Sequence, residues 1–250
     1  MEQLSRERLT IRADEVDSTN LYMKRLAREV HPEEGSLVIA DHQTAGRGQM
    51  GSSWFSTKGS NLTFSLLIYP GEVEVAKQFI ISRIASLAVK NTLDQFTDDI
   101  RIKWPNDIYW KDKKIAGILI ENDIQGKHIE NSVIGIGINI NQQDFPPELP
   151  NPVSLRQITG TLQNRDYILE TFMREFFLLY RDLQQGETET IEDEYMLDLY
   201  RINDFYWFED GGGKFQARIE NVMPSGHLLL RTLDGDEVRK YAFKEISFID

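Results

Sequence analysis

The chain has 250 residues, of which 40% are hydrophobic and 10% aromatic, enough for one large domain or a medium domain with a small appendage. It has no cysteine, which excludes disulfides, thiolate metal sites and cysteine nucleophiles together. A formal net charge of −12 argues against generic nucleic-acid binding. The lack of a long apolar run argues against a membrane span, and the charged start "MEQLSRERLT" against a signal peptide, so the expectation is a cytoplasmic protein.

In chain order, "DSTNLYMKRLAREV" opens with the cap-type residues Asp17, Ser18 and Thr19 and then puts Tyr22, Leu26 and Val30 on one helical stripe. "GSLVIADHQT" reads as a strand that ends at the glycine-rich loop "AGRGQMGSSW", and "NLTFSLLIYP" as a second strand stopped by Pro70. From Val75 to about Phe96, the residues Ala76, Phe79, Ile80, Ile84, Leu87 and Ala88 form the apolar stripe of a core-facing helix. Three strand-like stretches follow, "IRIKWPNDIYW", "KKIAGILIEND" and "NSVIGIGINI", and the short connections "KDKK" and "IQGKHIE" favour antiparallel neighbours.

"QQDFPPELPNP" holds four of the eight prolines and must be a loop, placed either to cover a site or simply to connect. Two helices are expected next, "RDYILETFMREFFLLYRDLQQG" and "TETIEDEYMLDLYRI". Beyond Asn203 short alternating strands are broken by GGG, PSG and DGD turns, the pattern of a small β-barrel. The reading is a mixed α/β domain over 1–202 and an all-β domain over 203–250.

Gly46, Gly48 and Gly51 spell the G-x-G-x-x-G spacing of a dinucleotide-binding turn, but Ser52 to Gly59 do not open a helix. A phosphate loop of the G-x-x-x-x-G-K-[ST] type and a G-x-S-x-G nucleophile elbow are both missing. His31, His42, His128 and His227 show no metal-ligand spacing. What remains is Arg47 in the glycine loop, a Trp-Pro-Asn-Asp turn beside Lys103, and Lys114 leading into "AGIL". The cluster Arg101, Lys103, Lys111, Lys113 and Lys114 suits a small anionic ligand. Each group alone reads more simply as solvated surface or an ordinary turn. Together, with no catalytic base apparent, they point to electrostatic catalysis on an anion.

"DSTN" at 17–20, "QTAGRGQMGSSW" at 43–54, "KWPND" at 103–107, "KIAGILIE" at 114–121 and "GIGININ" at 135–141 resemble biotin protein ligases in order and spacing, over nearly the whole chain. The resemblance implies a mixed, largely antiparallel sheet flanked by helices, of the class II synthetase-like kind, with a small SH3-like β-barrel behind it. It implies that biotin and ATP give biotinyl-5′-AMP, from which biotin passes to a lysine of a biotin carboxyl carrier domain. The quoted motifs begin at residue 17, so no N-terminal DNA-binding domain is expected. Neither nucleic acid nor membrane is an expected partner, and a homodimer and a monomer both stay open.

Carried over by motif, Ser18, Thr19, Asn20 and Gln43 line the biotin pocket, while Gly46, Arg47, Gly48 and Gln49 close over the carboxylate and phosphate. Lys114 bridges these two anions, and Gly117 lets the ligand lie on bare backbone. Lys103, Asn106 and Asp107 belong to the phosphate and metal side, with Trp54 and Asn139 near the nucleotide. Lys114, Arg47 and Asp107 are the catalytic candidates. Mg²⁺ is expected to be held mainly by the nucleotide and water, with Asp107 as the available protein oxygen. The family form GRGRxGR has three arginines, whereas this chain keeps Arg47 and has Gln49 and Ser52 at the other two places. A lipoate or octanoate ligase, a non-catalytic binding regulator and a DNA-binding repressor are the competing readings.

Overall fold

The computed structural model describes residues 8–249, so the charged segment read at 1–7 lies outside it. A seven-stranded sheet runs in the order β1 (Thr10–Ala13), β2 (Leu37–Ala40), β3 (Leu62–Ile68), β7 (His128–Ile138), β6 (Lys113–Gln125), β5 (Asp107–Trp110) and β4 (Ile100–Lys103). Only the β1–β2 pair is parallel, and the expected antiparallel neighbours from β4 to β7 are found. Within the sheet, β2 and β3 are buried along their whole length, so the side chains they alternate to either face are both covered. Phe64, Leu66 and Ile68 on β3 and Ile134, Ile136 and Ile138 on β7 join the main core, together with residues of α2 (Phe79–Leu93), α4 (Arg165–Gln184) and α5 (Thr188–Leu197). On the other face, α1 (Thr19–Glu29) sets Met23 and Ala27 against Val38, Leu67 and Val133.

Three local readings differ from expectation. "IRIKWPNDIYW" is not one strand but the hairpin β4–β5, folded at Trp104-Pro105, a cis peptide bond; the proline has no N–H to give to a ladder. The Val75–Phe96 helix begins only at Phe79, after a 3₁₀ turn over Val75–Lys77. The β6–β7 hairpin extends to Gln125 and His128, with Gly126 at φ +65 in its turn, because Ile124 and Ile129 continue the ladder. The short helix α3 (Leu155–Thr159) follows the proline-rich loop and starts in a capping box of Ser154 and Gln157.

The second sheet runs β11 (Val238–Tyr241), β10 (Leu228–Thr232), β9 (Gly213–Val222), β8 (Tyr206–Asp210) and β12 (Ser247–Phe248), all antiparallel. Its Phe208, Ile219, Val222, Leu228 and Leu230 belong to the same core cluster as the first sheet. Trp104 Nε1 donates to the Gly226 carbonyl at 2.9 Å, and the buried Arg83 of α2 donates to the Val222 carbonyl and pairs with Glu192. Among the described residues, no helix is long and apolar enough to cross a membrane.

Candidate active site

A cleft opens on the α1 face of the large sheet, where the strands β3, β7 and β6 present Thr63, Gly135, Gly137, Gly117 and Leu119 in adjacent register. The glycines make room. A Cβ on Gly137 would collide with the Trp54 indole, and one on Gly135 with the Asn20 side-chain oxygen. Trp54 therefore lies on a floor of bare backbone, and its buried Nε1 has no protein partner.

One end of the cleft is an ordered polar network. The Gln43 side-chain Oε1 accepts the Thr19 N–H at 2.8 Å and the Thr19 hydroxyl at 3.2 Å, so the loop residue Gln43 caps α1 where Ser18 makes no side-chain cap. The Ser65 hydroxyl lies 2.8 Å from Thr19 Oγ1 and 2.6 Å from Asn20 Oδ1. Asn20 Nδ2 donates to the Leu119 carbonyl and to Glu121, at 3.1 and 3.0 Å. With each amide's orientation set by these bonds, the Gln43 NH₂ remains a donor for a ligand.

The other end carries paired charges. Lys114 Nζ stands 2.7 Å from Asp107 Oδ1, both side chains partly exposed. Asn106 ties the turn to β6 by donating to the Ile118 carbonyl at 2.6 Å. The glycine loop folds back on itself: Gly48 N–H reaches the Ser52 carbonyl at 2.7 Å and Trp54 N–H the Gly46 carbonyl at 3.0 Å. That fold puts Arg47, Gly48 and Gln49 on the rim, and Gln49 Oε1 is buried without a partner.

The structure thus brings Ser18, Thr19, Asn20, Gln43, Arg47, Gly48, Gln49, Trp54, Asn106, Asp107, Lys114 and Gly117 around one cleft. Gly46 packs behind it, where a Cβ would strike the Trp54 carbonyl. Asn139 lies in an adjoining hollow lined by Trp54, Lys114, Phe145, Leu149 and Pro150, and its Oδ1 is buried and unpaired. The proline-rich loop forms this hollow because its end is pinned to β6 by Lys114 N–H to the Asn151 carbonyl and Val153 N–H to the Lys114 carbonyl. Lys103 stands apart, in a groove with Phe243 and Phe248, its Nζ 3.0 Å from the Tyr109 hydroxyl and 5.3 Å from the Phe248 ring centroid. Ser65, Glu121 and Phe243 were not singled out from sequence; the last reaches the cleft from the region of the second sheet.

A polar network with a free amide donor at one end and a lysine at the other suits a small ligand with a polar head and an anionic end. Residues 13–139 match the Biotin/lipoate A/B protein ligase family. The chain is 34% identical over 229 residues to the bifunctional ligase/repressor BirA of Bacillus subtilis, covering 89% of this chain and 69% of that protein. It is 29% identical over 231 residues to the biotin–[acetyl-CoA-carboxylase] ligase of Paracoccus denitrificans, covering 89% and 94%. The solved biotin protein ligase from Aquifex aeolicus in complex with biotin and ATP superposes with a TM-score of 0.78 at 27% identity, over 96% of this chain and 97% of that one. The chain belongs to the biotin/lipoate A/B protein ligase family.

Proposed function

We propose that the protein is an ATP-dependent biotin protein ligase acting on the carrier domain of a biotin-dependent carboxylase in the cytoplasm. The observation that supports it best is the hydrogen-bonded head of the cleft, Thr19, Asn20, Gln43 and Ser65, facing Lys114 across a glycine floor, with Arg47 on the rim. A ureido oxygen accepts from the Gln43 NH₂ that this network leaves free, and the dithiolane of lipoate offers that donor no comparable acceptor, a mismatch in a buried polar site.

In the first step a biotin carboxylate oxygen attacks the α-phosphorus of ATP, the bond to the β-phosphate oxygen breaks, and pyrophosphate leaves. The carboxylate is already ionised at neutral pH, so the obstacle is the approach of two anions. Lys114 and Arg47 offset that repulsion, and the loop residues Gly46 to Gln49 close over the shared oxygens. In the second step an acceptor lysine amine attacks the acyl carbon, loses a proton, and AMP leaves; Asp107 beside Lys114 is placed to receive that proton. The hollow containing Trp54 and Asn139 takes the nucleotide, and Lys103 belongs to the phosphate side.

Among the described residues no group of three His, Asp or Glu side chains gathers as a metal cage, and the cleft's lining carboxylate, Asp107, is paired with Lys114. This donor set would suit Mg²⁺ brought by the nucleotide, with Asp107 as the protein oxygen that would hold it; the ion would supply charge neutralisation of the phosphates. We also place the division of the chain at 202/203, with the second part walling the cleft through Phe243.

The test is pyrophosphate release with biotin and ATP, followed by transfer of labelled biotin to a carrier domain. Lys114→Ala should slow adenylation by about 10²–10³, as loss of a positioned anion-stabilising group does. A near-wild-type rate in Lys114→Ala, or equal binding of biotin and lipoate by titration calorimetry, would refute the assignment.

A further inference from the structure

Glu121 lies on β6 two residues beyond Leu119, on the cleft face, with its side chain 19% exposed. Its carboxylate is shared three ways: Asn20 Nδ2 at 3.0 Å, Lys24 Nζ at 3.4 Å, and Arg47 NH1 at 3.3 and 3.4 Å from the two oxygens. Burial pushes the carboxyl's pKa up, but the Asn20 hydrogen bond and the charges of Lys24 and Arg47 outweigh it and hold the pKa below the ordinary glutamate range. The group is therefore a fixed anion at neutral pH.

Its two cations differ in kind. Lys24 is on α1 and does not line the cleft, whereas Arg47 does, with its side chain 43% exposed. The Arg47 contacts are longer than the usual 2.7–2.9 Å of a charge-assisted bond, so the guanidinium can be exchanged cheaply to another anion.

We propose that Glu121 is a positioning residue that competes with the ligand's anionic end for Arg47. This rests on the reading of Arg47 as an anion-binding group in a biotin site. The guanidinium cannot serve Glu121 and a ligand carboxylate at full strength. Glu121 thereby lowers affinity for the anion while its bond to Asn20 keeps the polar head of the cleft in order. Lys24 keeps the carboxylate compensated when Arg47 turns to the ligand.

The test is titration calorimetry of wild type and Glu121→Gln with biotin and with biotinol, the uncharged analogue whose carboxylate is reduced to an alcohol. Glutamine keeps an oxygen for Asn20 and removes the charge. Biotin should bind Glu121→Gln about threefold tighter, the range of a half-exposed ion pair, and biotinol should be unchanged. In an Arg47→Met background the gain should vanish, because it acts through that side chain. Equal shifts for the two ligands, weaker biotin binding, or a gain that persists without Arg47 would each overturn the competition. A wild-type protein that binds neither ligand would overturn both this proposal and the biotin reading.

Discussion

At the scale of single residues, the cleft owes its shape to side chains that are missing. Gly135 faces Asn20, whose amide is buried and held by Ser65, the Leu119 carbonyl and Glu121. A methyl group at Gly135 meets the Asn20 oxygen and must displace it. Gly135→Ala should therefore weaken biotin binding roughly tenfold, the worth of one good hydrogen bond with its partner left unpaired; unchanged affinity by calorimetry would show that Asn20 does not read the ligand. Much of this site was legible in the sequence, because Asn20, Gln43, Arg47, Asp107 and Lys114 sit in compact motifs. Ser65 and Glu121 were not. Ser65 lies outside every quoted motif and Glu121 only closes one, and what gives each its place is a partner 45 or 101 positions away.

At the scale of elements, the start of α1 shows how a motif can be right for a different reason. Asp17, Ser18 and Thr19 look like competing caps, yet the first helical N–H goes to Gln43, and Asp17 instead binds Arg25 at 2.8 and 2.9 Å and the Ser18 N–H at 2.8 Å. The Arg25 hydrogen bonds, then the Ser18 N–H, lower the Asp17 pKa from 3.8 to about 2. A depressed carboxylate pKa contributes stability that is fully present above the unfolded value and is lost as pH falls through the folded one. Asp17→Asn should thus flatten the stability profile between about pH 4 and 2 while costing under about 1 kcal/mol, since the pair is largely exposed; urea unfolding at stepped pH measures it. Among the other elements, the helices α2 and α4 and the strands of the β6–β7 hairpin were readable from their periodicity. The four-residue β1 carries too short a pattern to register, and its place beside β2 is decided by tertiary pairing. The β4–β5 hairpin hid because each arm is only four residues long and the two read together as one strand-like run, although Pro105 between them was the available signal.

At the scale of the whole molecule, the chain's two sheets share one core, which composition shifts could not reveal. Among the described residues Arg83 is the largest fully buried side chain, and it joins α2 to Glu192 of α5 and to the Val222 carbonyl of β9. Arg83→Met should cost about 1–3 kcal/mol through the unpaired buried carbonyl, and should expose the 203–250 region to protease before the rest. Unaltered urea unfolding would show that the sheets are held by apolar contact alone. The four tryptophans sit at distinct stations of this assembly: Trp54 on the glycine floor, Trp104 at the junction through Gly226, Trp110 at the end of β5, and Trp207 half-exposed on β8. The molecule therefore carries its own chromophores, and Trp54 is the one that lines the cleft, so a ligand entering there would change its emission. Substituting the other three with phenylalanine would leave a protein in which occupancy of the cleft is read directly as light.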